Sequence, residues 1–211
     1  VGVGLAVELG LRGISTTLVE RRTELQQIPK GQNLTQRTLE HFYFWGIVDE
    51  LRDARVMPNN YPIGGVTAYK NMMSDYWYAP PGRELVRKFY YEENDRLPQY
   101  ALENVLRRKL RTLPSVTTLY GHTAKTVEQN DNGVRVRVVA GSSPNEESVL
   151  DADYVVGCDG GHSLIRETSD IKRHGSNFDQ RMLLAVLRST ELHDAFKRFP
   201  ERTTYRAMDP E

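Results

Sequence analysis

The chain has 211 residues, of which 39% are hydrophobic, and its 28 basic and 28 acidic residues leave no formal net charge. This composition is typical of a folded protein of one or two domains and gives no electrostatic reason to expect nucleic acid or an anionic membrane as a partner. No apolar run approaches the roughly 20 residues of a membrane-spanning helix, and the lone cysteine, Cys158, excludes an internal disulfide and favours a reducing compartment, for which we expect the cytoplasm.

The first predicted element is a helix of small and apolar residues that begins at Gly2 and is stopped by Gly13. A strand over residues 14–19 follows and ends on Glu20 and Arg21. Helix, glycine turn, strand and terminal acid are typical of the second half of a dinucleotide-binding βαβ unit, in which the acid accepts hydrogen bonds from a ribose. A solvated strand terminus explains Glu20 equally well. Because the unit's first strand and first two glycines are absent, we expect the chain to be a fragment.

A second helix is predicted from an Asn33 cap to a stop at Gly46. Arg37 lies near its amino end, where the helix dipole favours an anion that this side chain could reach. A surface ion pair between Arg37 and Glu40 is an equally good interpretation.

Residues 57–98 are rich in Pro, Gly, Tyr and Asn and contain strand-like runs at 65–69 and 85–91. Together with a further strand predicted at 181–187, they indicate a sheet inserted between parts of a nucleotide domain. Five aromatic side chains could line a pocket there, although ordinary packing explains each of them individually: Tyr69, Tyr76, Trp77, Tyr78 and Tyr90.

Helical periodicity returns over residues 98–110, with Gln99 in the first turn and a basic cluster, 107–109, that we interpret as a solvated helix end. A meander of strands between 117 and 139 follows, and then a polar turn at 141–147.

The most specific motif begins after the apolar run 154–158, which predicts a buried strand containing Cys158. Asp159 would then project from the strand's carboxyl end, Gly160 would let the backbone approach a ligand, and Ser163 would cap a short helix that carries Arg166. A plain strand-to-helix turn with a surface arginine is the alternative. The complete D-G-x-x-S-x-x-R spacing favours a ligand site.

Taken in order, these elements resemble the flavoprotein aromatic hydroxylases, the single-component FAD-dependent monooxygenases related to p-hydroxybenzoate and phenol hydroxylases. The resemblance extends over nearly the whole chain and rests on the helix after Gly2, Glu20-Arg21-Arg22, Gln36 to Glu40, Pro98-Gln99, and Asp159-Gly160 with Ser163 and Arg166. It implies an α/β fold with an incomplete, Rossmann-like FAD/NAD(P)-binding domain of the glutathione-reductase type. Residues 1–57 and 98–168 would form that domain, interleaved with a partial β-rich substrate domain at 58–97 and 169–211.

The resemblance implies cofactor contacts at Gly2, Glu20, Arg21, Arg37, Gln99, Asp159, Gly160 and Arg166. Gly2 would be the last glycine of the FAD pyrophosphate motif, and Glu20 would hold the adenosine ribose with Arg21 beside it. Arg37 and Gln99 would contact FAD near its pyrophosphate and ribityl chain.

The Asp-Gly motif at Asp159 is implicated by the resemblance in both FAD and NAD(P)H binding. Arg166 would brace that motif or face the nicotinamide cofactor. A later Gly-Asp motif of the family, which grips the ribityl chain, is missing here. We therefore expect the chain by itself to be inactive.

The implied reaction uses NAD(P)H and O2 to hydroxylate a phenolic or related aromatic substrate through a flavin C4a-hydroperoxide. No protein nucleophile is needed, no catalytic acid or base is assigned, and the scattered histidines predict no metal site. A homodimer is compatible with the family. The alternatives are another FAD oxidoreductase of this fold, such as an epoxidase or halogenase, and a non-catalytic nucleotide-binding module.

Overall fold

The structure is a computed structural model and describes residues 1–28, 31–58, 61–81, 86–175 and 182–209. In chain order its elements are α1 Gly2–Leu11, β1 Thr16–Glu20, β2 Asn33–Leu34, α2 Gln36–Phe44, α3 Val48–Asp53, β3 Gly65–Tyr69, β4 Trp77–Tyr78, β5 Asp95–Arg96, α4 Gln99–Leu110, β6 Val116–Tyr120, β7 His122–Asn130, β8 Gly133–Ala140, β9 Ser143–Ala152, α5 Leu164–Thr168, α6 Leu192–Phe196 and β10 Thr204–Met208. The chain divides into two compact units, residues 1–26 with 103–182 and residues 27–102 with 183–211.

The first unit contains a parallel pair of strands, β1 and β6, aligned from Thr16 opposite Val116 to Glu20 opposite Tyr120. Helix α1 packs closely beside this pair. A Cβ atom added at Gly10 would lie 2.5 Å from a methyl carbon of Val116, so only glycine allows the helix to approach so near. Gly13 then ends the helix region with a positive φ of 71°.

The same unit contains the antiparallel sheet β7-β8-β9. Strand β8 alternates apolar and basic residues, and this period-two pattern buries Val134, Val136 and Val138 on one face. Val19 of β1 and Val155 pack against that valine cluster, which forms a core of the unit.

The second unit is built on the three-stranded sheet β10-β3-β4 and the short antiparallel pair β2-β5. Strand β3 runs parallel to β10, with Val66 opposite Tyr205. Val66 and Ala68 are completely buried, as are Leu51 and, almost completely, Leu97. The buried faces of α2 and α3 supply much of the remaining core.

The structure corrects several predicted elements. Residues 154–158 form no strand, because no described strand pairs with this segment. Cys158 is exposed. Over the described part of 85–91 the chain forms a short 3-10 turn, Arg87–Phe89, and residues 182–187 form no strand. Position 85 and position 181 lie outside the described residues. The predicted turn at 141–147 instead continues into β9, because its residues pair with β8.

The cap of α2 is Thr35, since Asn33 is extended and pairs with Arg96 between β2 and β5. The hydroxyl of Thr35 accepts a hydrogen bond from the Thr38 amide. The predicted helices over 2–9 and 98–110 are confirmed by α1 and α4. None of the helices formed by the described residues is long and apolar enough to cross a membrane.

Candidate functional site

The amino end of α1 is held against two neighbouring segments of the first unit. A Cβ atom added at Gly2 would lie 3.3 Å from Cβ of Cys158 and 3.4 Å from a methyl carbon of Leu18. The helix start has no side-chain cap, and its first turn contains no acid. Because a helix amino terminus carries partial positive charge, this arrangement suits an anionic group such as a phosphate.

Glu20 lies where predicted, at the carboxyl end of β1. Its Oε1 accepts a hydrogen bond from the Arg22 amide at 2.8 Å, which closes the turn after the strand. Arg21, between them, is exposed. The carboxylate therefore lies at the same strand terminus that the ribose-binding acid of a βαβ unit occupies.

Sequence reasoning missed the role of Arg107, which we had placed in a solvated helix end. It is only 8% exposed. Its guanidinium donates to Glu103 at 2.7 Å and to the Thr23 carbonyl at 2.9 Å, and lies over the ring of Tyr120 at 4.3 Å. Arg107 thus holds the segment that follows Glu20. The i,i+4 spacing from Glu103 was the signal available in the sequence.

Both oxygens of the Asp159 carboxylate accept hydrogen bonds from the start of α5. One oxygen accepts a short hydrogen bond from the Ser163 hydroxyl, and the other accepts one from the Ile165 amide at 3.4 Å. Ser163 is buried and caps α5, as predicted, by accepting from the Arg166 amide at 3.0 Å. Partial burial opposes ionisation of Asp159, but these hydrogen bonds outweigh it and lower its pKa. Asp159 is therefore an anion at neutral pH.

Two glycines make this turn possible. Gly160 has a positive φ of 84°, a conformation that most other residues avoid. A Cβ atom at Gly157 would lie 2.8 Å from Cβ of Ile165 and 3.2 Å from an Asp159 oxygen. Gly157, which sequence reasoning did not single out, is thus required for Asp159 to fold back on the helix start.

Arg166 braces the segment after α5. Its guanidinium donates to the Ile171 carbonyl at 2.9 Å and to the Glu167 carboxylate at 2.8 Å. These contacts lie at the end of the motif and do not reach Asp159. A role of Arg166 in bracing the motif or facing the nicotinamide cofactor stays a prediction.

The other two expected cofactor contacts lie in the second unit. Arg37, in the first turn of α2, pairs with Glu40 at 3.1 Å, as the ion-pair interpretation expects. Glu40 also accepts from the Tyr91 amide, and that hydrogen bond, with the one from Arg37, lowers its pKa. Gln99 is half-buried and is the first residue of α4. Contact of Arg37 or Gln99 with FAD stays a prediction.

The second unit also contains a cavity of about 280 Å³ between β2, β5, β3 and β10. Its polar lining includes Asn33, Thr35, Thr67, Asn94, Arg96, Thr203, Thr204 and Arg206, and its apolar lining includes Leu34, Ile63, Pro80 and Pro81. The five aromatic residues predicted to line a pocket are absent from this lining and are largely exposed. The cavity was not predictable from the sequence because β2 and β5 are only two residues long.

The backbone amide of Arg96 donates a hydrogen bond to its neighbour in β5, Asp95, at 2.6 Å. Asp95 pairs with Arg55 at 3.2 Å, and both side chains are only 11% exposed. The Arg96 guanidinium donates to Gln32 at 3.1 Å and to the Thr204 hydroxyl at 2.7 Å. Burial lowers the pKa of Arg96.

Within the described ranges, no group of three or more His, Cys, Asp and Glu side chains is arranged to hold a metal ion. The polar groups of both units instead suit hydroxyl-bearing and anionic ligands. They are acidic and hydroxyl groups in the first unit and amide and guanidinium groups in the second.

Comparison with known sequences identifies the family. The model of a family described as "FAD binding domain" matches residues 1–208. A 3-(3-hydroxy-phenyl)propionate/3-hydroxycinnamic acid hydroxylase of Burkholderia cenocepacia (strain HI2424) is 29% identical over 191 residues, which are 90% of this chain and 33% of that protein. The chain thus spans about a third of the length of that relative.

Two solved structures have a similar fold. The flavin-dependent monooxygenase PieE, in complex with FAD and substrate, matches with a TM-score of 0.70 and 22% identity over 80% of this chain and 30% of that one. Aklavinone-11 hydroxylase, in a ternary complex with FAD and aklavinone, matches with a TM-score of 0.68 and 24% identity over 82% of this chain and 34% of that one. These matches confirm the expected mixed α/β fold of a partial FAD-binding domain.

Proposed function

Because this chain belongs to the family of FAD binding domains, we propose that its protein is an FAD-dependent monooxygenase that uses NAD(P)H and O2 to hydroxylate a phenolic or related aromatic substrate. The observation that carries the proposal is the family match over residues 1–208, which no isolated motif could produce. The hydroxylase relative at 29% identity supports an aromatic substrate.

The residues of the first unit fit FAD. A Cβ atom at Gly2 would crowd Cys158 and Leu18, so this glycine suits the close helix packing of the pyrophosphate motif, and the uncapped start of α1 suits the pyrophosphate. Glu20 would accept hydrogen bonds from the adenosine ribose, with Arg21 beside it. The ionised Asp159 and the Gly160 backbone would contact FAD or NAD(P)H, with Arg166 bracing the segment behind them.

In the second unit, Arg37 and Gln99 would contact the cofactor near its pyrophosphate and ribityl chain. Arg37 would then have to exchange or share its Glu40 partner, since the two are paired here. We assign residues 58–97 and 169–211 to the substrate domain and residues 1–57 and 98–168 to the cofactor domain.

FAD, when bound, supplies the redox chemistry by accepting electrons from NAD(P)H and activating O2. The chain's own residues bind and orient the cofactor and hold Asp159 ionised at the site. The oxygen-transfer route, cytoplasmic location, a homodimer and inactivity of the isolated chain stay predictions.

The direct test is the visible spectrum of the protein purified from the parent open reading frame that contains this chain, followed by assays of NAD(P)H oxidation and oxygen insertion into phenols. We expect flavin bands near about 375 and about 450 nm and a hydroxylated product. A colourless folded protein would contradict the cofactor assignment and favour a non-catalytic module. A yellow protein that epoxidises or halogenates instead would contradict hydroxylation.

A narrower test substitutes Asp159→Ala. We expect weaker binding of FAD or of NAD(P)H, by about tenfold, because a charged hydrogen-bond acceptor is lost. Titration of the apoprotein with FAD and the rate of flavin reduction by NAD(P)H measure the two affinities. Asp151→Ala is a matched control, because Asp151 is an exposed carboxylate of the same unit that pairs with Arg135. Unchanged values for both ligands in Asp159→Ala would remove Asp159 from the site.

A further inference from the structure

The partners of Arg96 differ in charge from those of four other arginines. Arg52, Arg55, Arg107 and Arg166 each form an ion pair with a carboxylate. The hydrogen bonds of the Arg96 guanidinium run to the amide oxygen of Gln32 and the hydroxyl of Thr204, which are both neutral. No described carboxylate pairs with it.

This cation is also partly removed from water, and the resulting desolvation disfavours its charge. A desolvated charge without a counter-ion is costly, and binding of an anion would offset that cost. The fold thus holds a guanidinium in a state that a charged ligand would stabilise.

The surroundings of Arg96 favour the same sign of ligand. Arg206 lines the same cavity, and among the residues that the structure describes its lining contains no aspartate or glutamate. Thr204 and Arg206 are two residues apart on β10, so their side chains lie on the same face of the strand. The planar guanidinium of Arg206 and the hydroxyl of Thr204 on one wall suit the planar oxygens of a carboxylate.

The apolar wall of the cavity indicates the kind of molecule that carries the anionic group. Leu34, Ile63 and Pro80 give it an apolar side. Its volume of about 280 Å³ lies near the lower end for small-molecule sites, which matches a one-ring ligand better than a polycyclic one. An apolar wall suits a carboxylate on a hydrocarbon body better than a phosphate.

We propose that Arg96 and Arg206 form a carboxylate subsite in this cavity, and that its ligand is an aromatic carboxylate with a single ring. Asp95, which is paired with Arg55, accepts a hydrogen bond from the Arg96 backbone amide and so fixes the backbone at this position. The identification of this ligand as the substrate rests on the proposed monooxygenase function; the subsite itself does not require FAD.

The test compares benzoate with its neutral analogue benzamide by titration calorimetry, in the protein with and without FAD. We expect benzoate to bind about tenfold more tightly than benzamide. Arg96→Met should remove that preference, Arg206→Gln should reduce it, and Arg96→Lys should retain part of it. Arg87→Gln, at an exposed arginine of the same unit outside the cavity lining, is the matched control and should change nothing.

Any of three results would overturn the subsite. The first is equal affinity for benzoate and benzamide, and the second is unchanged benzoate binding in folded Arg96→Met. The third is that inorganic pyrophosphate displaces benzoate at lower concentrations than benzamide does. The last would indicate a phosphate site. If Arg96→Met does not fold, Arg96→Lys and Arg206→Gln decide, and unchanged preference in both overturns the proposal. Benzoate binding through Arg96 in a protein that takes up no flavin would contradict only the monooxygenase function.

Discussion

Arg107 in the first unit and Arg96 in the second are arginines that the fold holds partly out of water, yet their surroundings differ. Arg107 donates to a carboxylate and a carbonyl and stacks on Tyr120. Arg96 donates only to neutral side chains and lines a cavity. Burial alone therefore does not show whether an arginine stabilises the fold or binds a ligand. The charge of its partners distinguishes the two.

Removal of the Arg107 side chain should destabilise the fold. Arg107→Met leaves Glu103 and the Thr23 carbonyl without their partner, so we expect the free energy of unfolding to fall by about 3 kcal/mol. Arg12→Met is the matched control, since Arg12 also forms an i,i+4 pair with a glutamate but is exposed, and should cost at most about 0.5 kcal/mol. Chemical denaturation measures both. Equal losses would contradict the structural role of Arg107.

Arg96→Met should have a much smaller effect on stability than Arg107→Met. The substitution removes two hydrogen bonds to neutral groups and also removes the desolvation cost of the charge. We therefore expect the free energy of unfolding to change by less than about 1 kcal/mol, in either direction. The same denaturation experiment applies. A loss as large as that in Arg107→Met would mean that Arg96 serves the fold.

The smallest expected effect is the pH dependence that Asp159 gives to the free energy of unfolding. Because the pKa of Asp159 is lower in the folded state than its ordinary value of 3.8, its charged form stabilises the fold. That contribution is complete above the ordinary value and is lost as pH falls through the lower, folded-state pKa.

The stability difference between the unmodified protein and Asp159→Asn should consequently be constant near neutrality and shrink below about pH 4. Denaturation curves across that range measure it. Ser163→Ala, which removes the hydroxyl that hydrogen-bonds to Asp159, should weaken the pH dependence. A difference that grows on acidification would contradict the direction of the pKa shift.

Much of the first unit was predictable because its signals are local. Helical periodicity, Gly13 and the acid after the strand predicted α1 and β1 with the right order and approximate bounds. The Ser163 cap was predictable for the same reason, since it depends on an interaction three residues away.

The failed predictions concern strands, whose formation depends on a pairing partner as well as on composition. The apolar run 154–158 has the composition of a strand, but strand formation needs a neighbour, and no described strand pairs with it. Conversely, the polar residues at 143–147 joined β9 because β8 lies beside them. Propensity alone could determine neither outcome.

The sequence by itself determined the family resemblance, the order of the Gly2, Glu20 and Asp159 motifs, and the type of cofactor they suit. These properties reside in residue types at short spacings, where backbone geometry leaves few alternatives. Tertiary packing was needed to show that Arg107 is buried and that Arg96 lines a cavity with Arg206. Burial and charge pairing over long sequence separations depend on packing, which no local pattern records.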